Sequence, residues 1–114
     1  MLQLWNLDTE KEIANCIRPA YRFFKRLKGL MFTKSLPSGC GLHIKPCQSV
    51  HTFFMRYPID VIYLNEEFVV VDVDTHFPPG KVGKLRKNAR SVIEVPAGTV
   101  NRTSIEIGHK LILK

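Results

Sequence analysis

Apolar residues recur along the chain in short runs broken by polar turns. Leu2 to Trp5 is short and apolar, the "NLDTE" that follows is turn material, and Glu12 to Ile17 reads as its hairpin partner. Pro19 suits the first turn of a helix, where its missing N–H costs nothing, and Tyr21, Phe24, Leu27 and Leu30 or Met31 follow at helical spacing. That stripe is predicted to be core, with Arg22, Lys25, Arg26 and Lys28 on the solvent side and Gly29 ending the helix.

After the loop-like "SLPSGCG" come three apolar stretches, Leu42 to Ile44, Val50 to Met55 and Ile59 to Leu64, separated by "KPC" and "RYP". All three read as strands. The clearest hairpin is "VIYLNEEFVVVDVD", with Val61 to Leu64 and Phe68 to Val73 rich in β-branched residues around Asn65-Glu66-Glu67. Thr75 to Asn88, with Pro78, Pro79, Gly80 and Gly83, reads as a long surface loop. Arg90 to Val95 reads as a strand, Pro96 as the start of a short helix ending before Gly108, and Lys110 to Leu113 as a last strand. Seven or eight short strands without a βαβ rhythm predict a mainly β fold. The expected form is an antiparallel β-sandwich or jelly roll, or a partly closed barrel, with one or two short inserted helices.

Nothing in the composition divides residues 1–114, so one domain is expected, and 45% hydrophobic residues suffice for a core. Three cysteines make no disulfide framework, and no secretory pattern opens the sequence, so a cytoplasmic protein with reduced thiols is expected. No apolar run approaches the roughly 20 residues that span a bilayer, and no membrane insertion is expected. Charge adds more. The net value is +7, no acidic residue lies between Glu12 and Asp60, and a second basic cluster holds Lys81, Lys84, Arg86, Lys87 and Arg90. An anionic small molecule or nucleic acid is the partner such clustering attracts, with Arg22, Lys25, Arg26, Lys28, Lys84, Arg86 and Lys87 as polyanion contacts. No glycine-rich loop joins a strand to a helix, which argues against Rossmann and P-loop nucleotide sites, and no cofactor is expected.

Chemistry concentrates in "CGLHIKPCQSVH". A single zinc ion would need Cys40, His43, Cys47 and His51 to converge within about 2.0–2.3 Å of it. Strand alternation sends Cys40 and His43 to opposite faces, so no metal site is expected. A nucleophilic reading needs only a thiolate at Cys47, a base at His51 and a carboxylate such as Asp60 to orient the imidazole. Extended chain would hold Cys47 and His51 about 13 Å apart, so the turn at Pro46 to Ser49 must fold back. Asp60 opens an apolar strand, where an unpaired carboxylate is costly, so it needs a partner or solvent. Its other reading is a local cap after Pro58, and the cysteines can equally serve as small buried hydrophobes.

The ordered motifs Gly29-Leu30-Met31-Phe32 with Leu36, Phe53-Phe54-Met55 with Pro58-Ile59-Asp60-Val61-Ile62-Tyr63, and Val92-Ile93-Glu94-Val95-Pro96-Ala97-Gly98 resemble the domain of unknown function 192 family of bacteria and archaea. Pro46, Cys47, Ser49, Val50, His51 and Thr52 also match a pattern shared by many members. The resemblance implies a mostly antiparallel β fold with one or two short helices, and it implies no established activity. Gly108-His109 departs from the Gly-Asp often found there.

The leading expectation is a small binding module whose cleft is lined by His51, Phe53, Met55, Arg56 and Asp60. The alternatives are a hydrolase or acyl-transfer enzyme using Cys47, His51 and Asp60, and nonspecific nucleic-acid binding through the basic clusters.

Overall fold

A computed structural model describes residues 1–114. Seven strands form one sheet: β1 (Leu2–Asn6), β2 (Lys11–Ala20), β3 (Cys40–Ile44), β4 (Ile59–Leu64), β5 (Val70–Phe77), β6 (Ser91–Pro96) and β7 (Leu111–Leu113). Their spatial order is β5-β4-β6-β3-β2-β1-β7. Every pairing is antiparallel except β2 with β3. The sheet curls until its ends approach: Val69 bridges to Lys110, and the Leu111 N–H donates to the Phe68 carbonyl at 2.9 Å. The result is a half-barrel, within the mainly β class expected from the sequence.

The parallel pair was not expected, and it organises one side of the molecule. Parallel neighbours need a long crossover, and here residues 21–39, including α1 (Phe23–Lys28), provide it. Pro19 does not open this helix. It lies near the end of β2, opposite His43, and the helix starts after Arg22 without a side-chain cap. Gly29 does end it, with φ near +50° and its N–H donating to the Lys25 carbonyl. The apolar stripe is not core: α1 buries none of its residues, and Phe24 is 79% exposed. Only Leu30, beyond the helix, reaches the interior.

Alternation along β4 separates two cores. Ile62 and Leu64 pack with Ile17, Ile93 and Val95 inside the half-barrel, beside α2 (Thr99–Arg102), whereas Ile59, Val61 and Tyr63 pack outward with Ile44, Val50 and Met55. Burial on both faces explains why "IDVIYL" is nearly continuously apolar. Val50 to Met55 is not a strand, despite its β-forming residues. Phe54 adopts a left-handed backbone with φ 62°, and the preceding residues dock instead on the 78–83 loop, where the Thr52 N–H donates to the Lys81 carbonyl at 2.8 Å. The loop expected from Thr75 begins after Phe77, where β5 ends.

Candidate functional site

Register places an acid where the outward core meets the crossover. Leu42, Glu94 and Val61 pair in one row across β3, β6 and β4, so Glu94 shares the outward face with Val61 and Val92 while Ile93 and Val95 point inward. Segments 23–31 and 46–51 close over this row and leave a cleft of about 260 Å³. Leu27, Leu30, Ile44 and Val50 supply its apolar walls, Arg26, Cys47 and His51 its polar groups, and Glu94 its floor. Glu94 is 3% exposed, its Oε1 has no hydrogen-bond partner, and burial pushes its carboxyl up to about 8. A neutral acid is therefore the resting form of the floor at neutral pH. A Cβ on Gly29 would stand 3.7 Å from this Oε1, so the helix end lies directly over the acid.

Cys47 and His51 do share the cleft, because the chain turns between them. Their side chains bond elsewhere: the Cys47 thiol donates to the Ser49 carbonyl at 2.9 Å, and His51 Nδ1 accepts from the Phe53 N–H at 3.3 Å. Burial pushes the Cys47 thiol up, the direction opposite to nucleophile activation. Asp60 belongs to another place. It points to the inward core with Ile62 and Leu64, fully buried, and its carboxylate accepts the N–H groups of His76 at 2.9 Å, Gly98 at 3.1 Å and Val100 at 2.9 Å. It ties β4 to the end of β5 and to the start of α2. The orienting role toward His51 is absent from its bonds, and the capping partners lie far along the chain rather than beside Pro58.

The remaining expected contacts divide similarly. Met55 is buried in the outward core, Phe53 is exposed and stacked on the His51 ring, and Arg56 is exposed. Cys40 faces Cys16 in register on β2, and His43 points inward with Nδ1 2.8 Å from the Tyr21 hydroxyl. Burial, aided by the nearby Lys45 charge, holds His43 down at about 4, and its Nε2 has no partner.

Arg86 is not a free polyanion contact. Its guanidinium bonds Asp72 and Asp74 at 2.9 Å each, reaches the Tyr63 hydroxyl at 2.9 Å, and lies 4.0 Å over the Tyr63 ring. It pins the 78–90 loop to the outward face of the sheet. Arg86→Ala is expected to lose about 2–4 kcal/mol in urea unfolding, since a largely buried charge network is left unpaired, and Arg86→Lys should not restore it because an ammonium lacks the planar fork. Full stability in Arg86→Ala would show that the loop is held by other contacts. Arg22, Lys25, Lys28, Lys84 and Lys87 are exposed.

Glu94 is the residue that sequence reasoning passed over as a site. Its signal was present: a carboxylate centred in "SVIEVP", a strand apolar on both sides.

The fold has close counterparts among solved structures. A protein of unknown function from Novosphingobium aromaticivorans superposes with a TM-score of 0.83 at 18% identity, covering 97% of this chain and 82% of that one. A protein from Sinorhizobium meliloti gives 0.84 at 17%, covering 98% and 91%. At such identities the likeness is one of fold. In sequence, the chain is 37% identical to a UPF0127 protein of Pyrococcus furiosus over 93% of both chains. It is 39% identical to a UPF0127 protein of Pyrococcus horikoshii, covering 93% of this chain and 90% of that one. The model of the DUF192 family, described as uncharacterized ACR, matches residues 6–113, and the chain belongs to that family.

Proposed function

We propose that this chain is a single-domain binding module for a small anion with an apolar body, held in the cleft over Glu94. The observation that carries the reading is the buried, unpartnered Glu94 Oε1 at the floor of an apolar cleft with Arg26 and His51 in its lining. A neutral carboxyl can donate to or accept from a ligand's polar group without repelling its charge, and the Arg26 guanidinium, which donates from Nη1 to the Tyr21 carbonyl at 3.0 Å, keeps further N–H donors for a carboxylate or phosphate. Leu27, Leu30, Ile44 and Val50 take the apolar part. Such a mixture of apolar lining and a few convergent polar groups is the usual make-up of a small-molecule site.

Octanoate is the first probe, with butyrate and phosphate as comparisons. Octanoate is expected to raise the melting temperature and to slow iodoacetamide labelling of Cys47, read peptide by peptide. Affinity should fall as pH rises through about 8, because ionised Glu94 then repels the anion. Arg26→Glu should abolish the effect. In the free protein Cys47 is expected to label about tenfold more slowly than an unhindered thiol near neutral pH. Rapid labelling would favour the acyl-transfer alternative, and no protection by any of the three probes would reject the binding reading.

A further inference from the structure

We infer that the face framing this cleft is a docking surface for an anionic lipid bilayer. Five large apolar side chains stand in solvent there: Phe23 is 62% exposed, Phe24 79%, Leu27 57%, Phe32 67% and Phe54 65%. They are contiguous. Phe23 meets Phe24 edge to face at 5.3 Å, Phe23 and Leu27 line the cleft mouth, and Phe32, which follows Met31 of the same lining, stacks on Phe54 at 5.2 Å. Phe32 and Phe54 both hold left-handed backbones, with φ 64° and 62°, and the Phe32 N–H donates to the Phe54 carbonyl, so two strained segments present these rings together.

Cations flank the rings. Arg22, Lys25 and Lys28 sit on or beside α1, and Lys34 and Arg56 lie two residues beyond Phe32 and Phe54; all are exposed and none is in an ion pair. No acidic residue occurs in positions 13–59. Exposed apolar rings beside unpaired cations are the composition that inserts at the acyl boundary while binding anionic headgroups. A second copy of the chain is a poor occupant, because like charges would face one another. Single-stranded nucleic acid fits less well: Leu27 offers no face for a base, and the stacking of Phe32 on Phe54 and the edge contact of Phe23 with Phe24 leave only part of each ring open. No helix is long and apolar enough to cross a membrane, and docking requires none. This inference does not depend on the cleft's occupant.

The test is co-sedimentation of the full chain with vesicles of phosphatidylcholine containing phosphatidylglycerol, against phosphatidylcholine alone and against a polyuridine oligonucleotide. Binding to the anionic vesicles is expected, weakening with salt, with affinity about tenfold lower in Phe24→Ser. Lys25→Glu should lower it at least about fivefold, and Lys11→Glu, at the exposed start of β2, should leave it unchanged. Circular dichroism checks that each variant is folded. No binding to anionic vesicles at low salt would overturn the inference, as would vesicle binding indifferent to Phe24→Ser or polyuridine binding that alone depends on Phe24. Cys47 protection by octanoate in the absence of vesicles reads the cleft separately, so the two proposals can fail independently.

Discussion

Glu94→Gln is expected to stabilise the protein by roughly 3–5 kcal/mol above pH 8 and by little below pH 4.5. In the folded chain the carboxyl is raised from 4.5 to about 8 by burial. Between those values the unfolded chain has released the proton and the folded chain still holds it. The stability tied to the protonated form is therefore fully present below 4.5 and lost as pH rises through about 8. Glutamine keeps the shape and a neutral polar group and removes the titration. His43 works at the other end of the scale. Held down at about 4 from 6.5, it contributes stability that is present above 6.5 and lost as pH falls toward 4. The two slopes oppose one another between 4.5 and 6.5, so Glu94 dominates the alkaline side. Urea unfolding at a series of pH values reads this directly, and parallel curves for Glu94→Gln and the natural chain would refute a buried neutral acid.

Asp60→Ala is expected to cost about 3–5 kcal/mol in urea unfolding, because three N–H groups lose their acceptor at a fully buried position. Asp60→Asn should be milder, at about 2 kcal/mol, since one oxygen remains while the amide NH₂ must face at least one donor. Neither change should alter Cys47 labelling in the folded protein, because Asp60 lies on the opposite face of the sheet from the cleft. A stable Asp60→Asn protein with a changed Cys47 reactivity would bring Asp60 back into the site and would favour the enzyme alternative.

Local pattern carried much of the fold. The β1–β2 and β4–β5 hairpins follow from apolar runs around polar turns, and Asn65 fastens the second by accepting the Glu67 and Val69 N–H groups. Periodicity alone could not show which side of α1 would be covered. Tyr21, Phe24 and Leu27 have the spacing of a core stripe, but all three remain exposed, Tyr21 meeting only the His43 ring and Phe24 only its neighbour Phe23. Val50 to Met55 has strand composition, and tertiary bonds to the 78–83 loop decide otherwise. The site was legible in halves. Cys47 and His51 were visible by type and spacing, whereas Asp60, marked by its apolar surroundings, lies outside the cleft. Glu94 was marked locally as an acid within an apolar strand, but its place at the floor of a cleft required knowing that the β2–β3 crossover covers the outward face of β6, a long-range fact.

The most direct test of the cleft is the titration of Glu94 itself, followed by the ¹³C shift of its side-chain carboxyl carbon with and without octanoate. The account predicts a midpoint at about 8 in the free protein, moved higher by the bound anion. A midpoint in the ordinary carboxylate range, unmoved by octanoate, would contradict it.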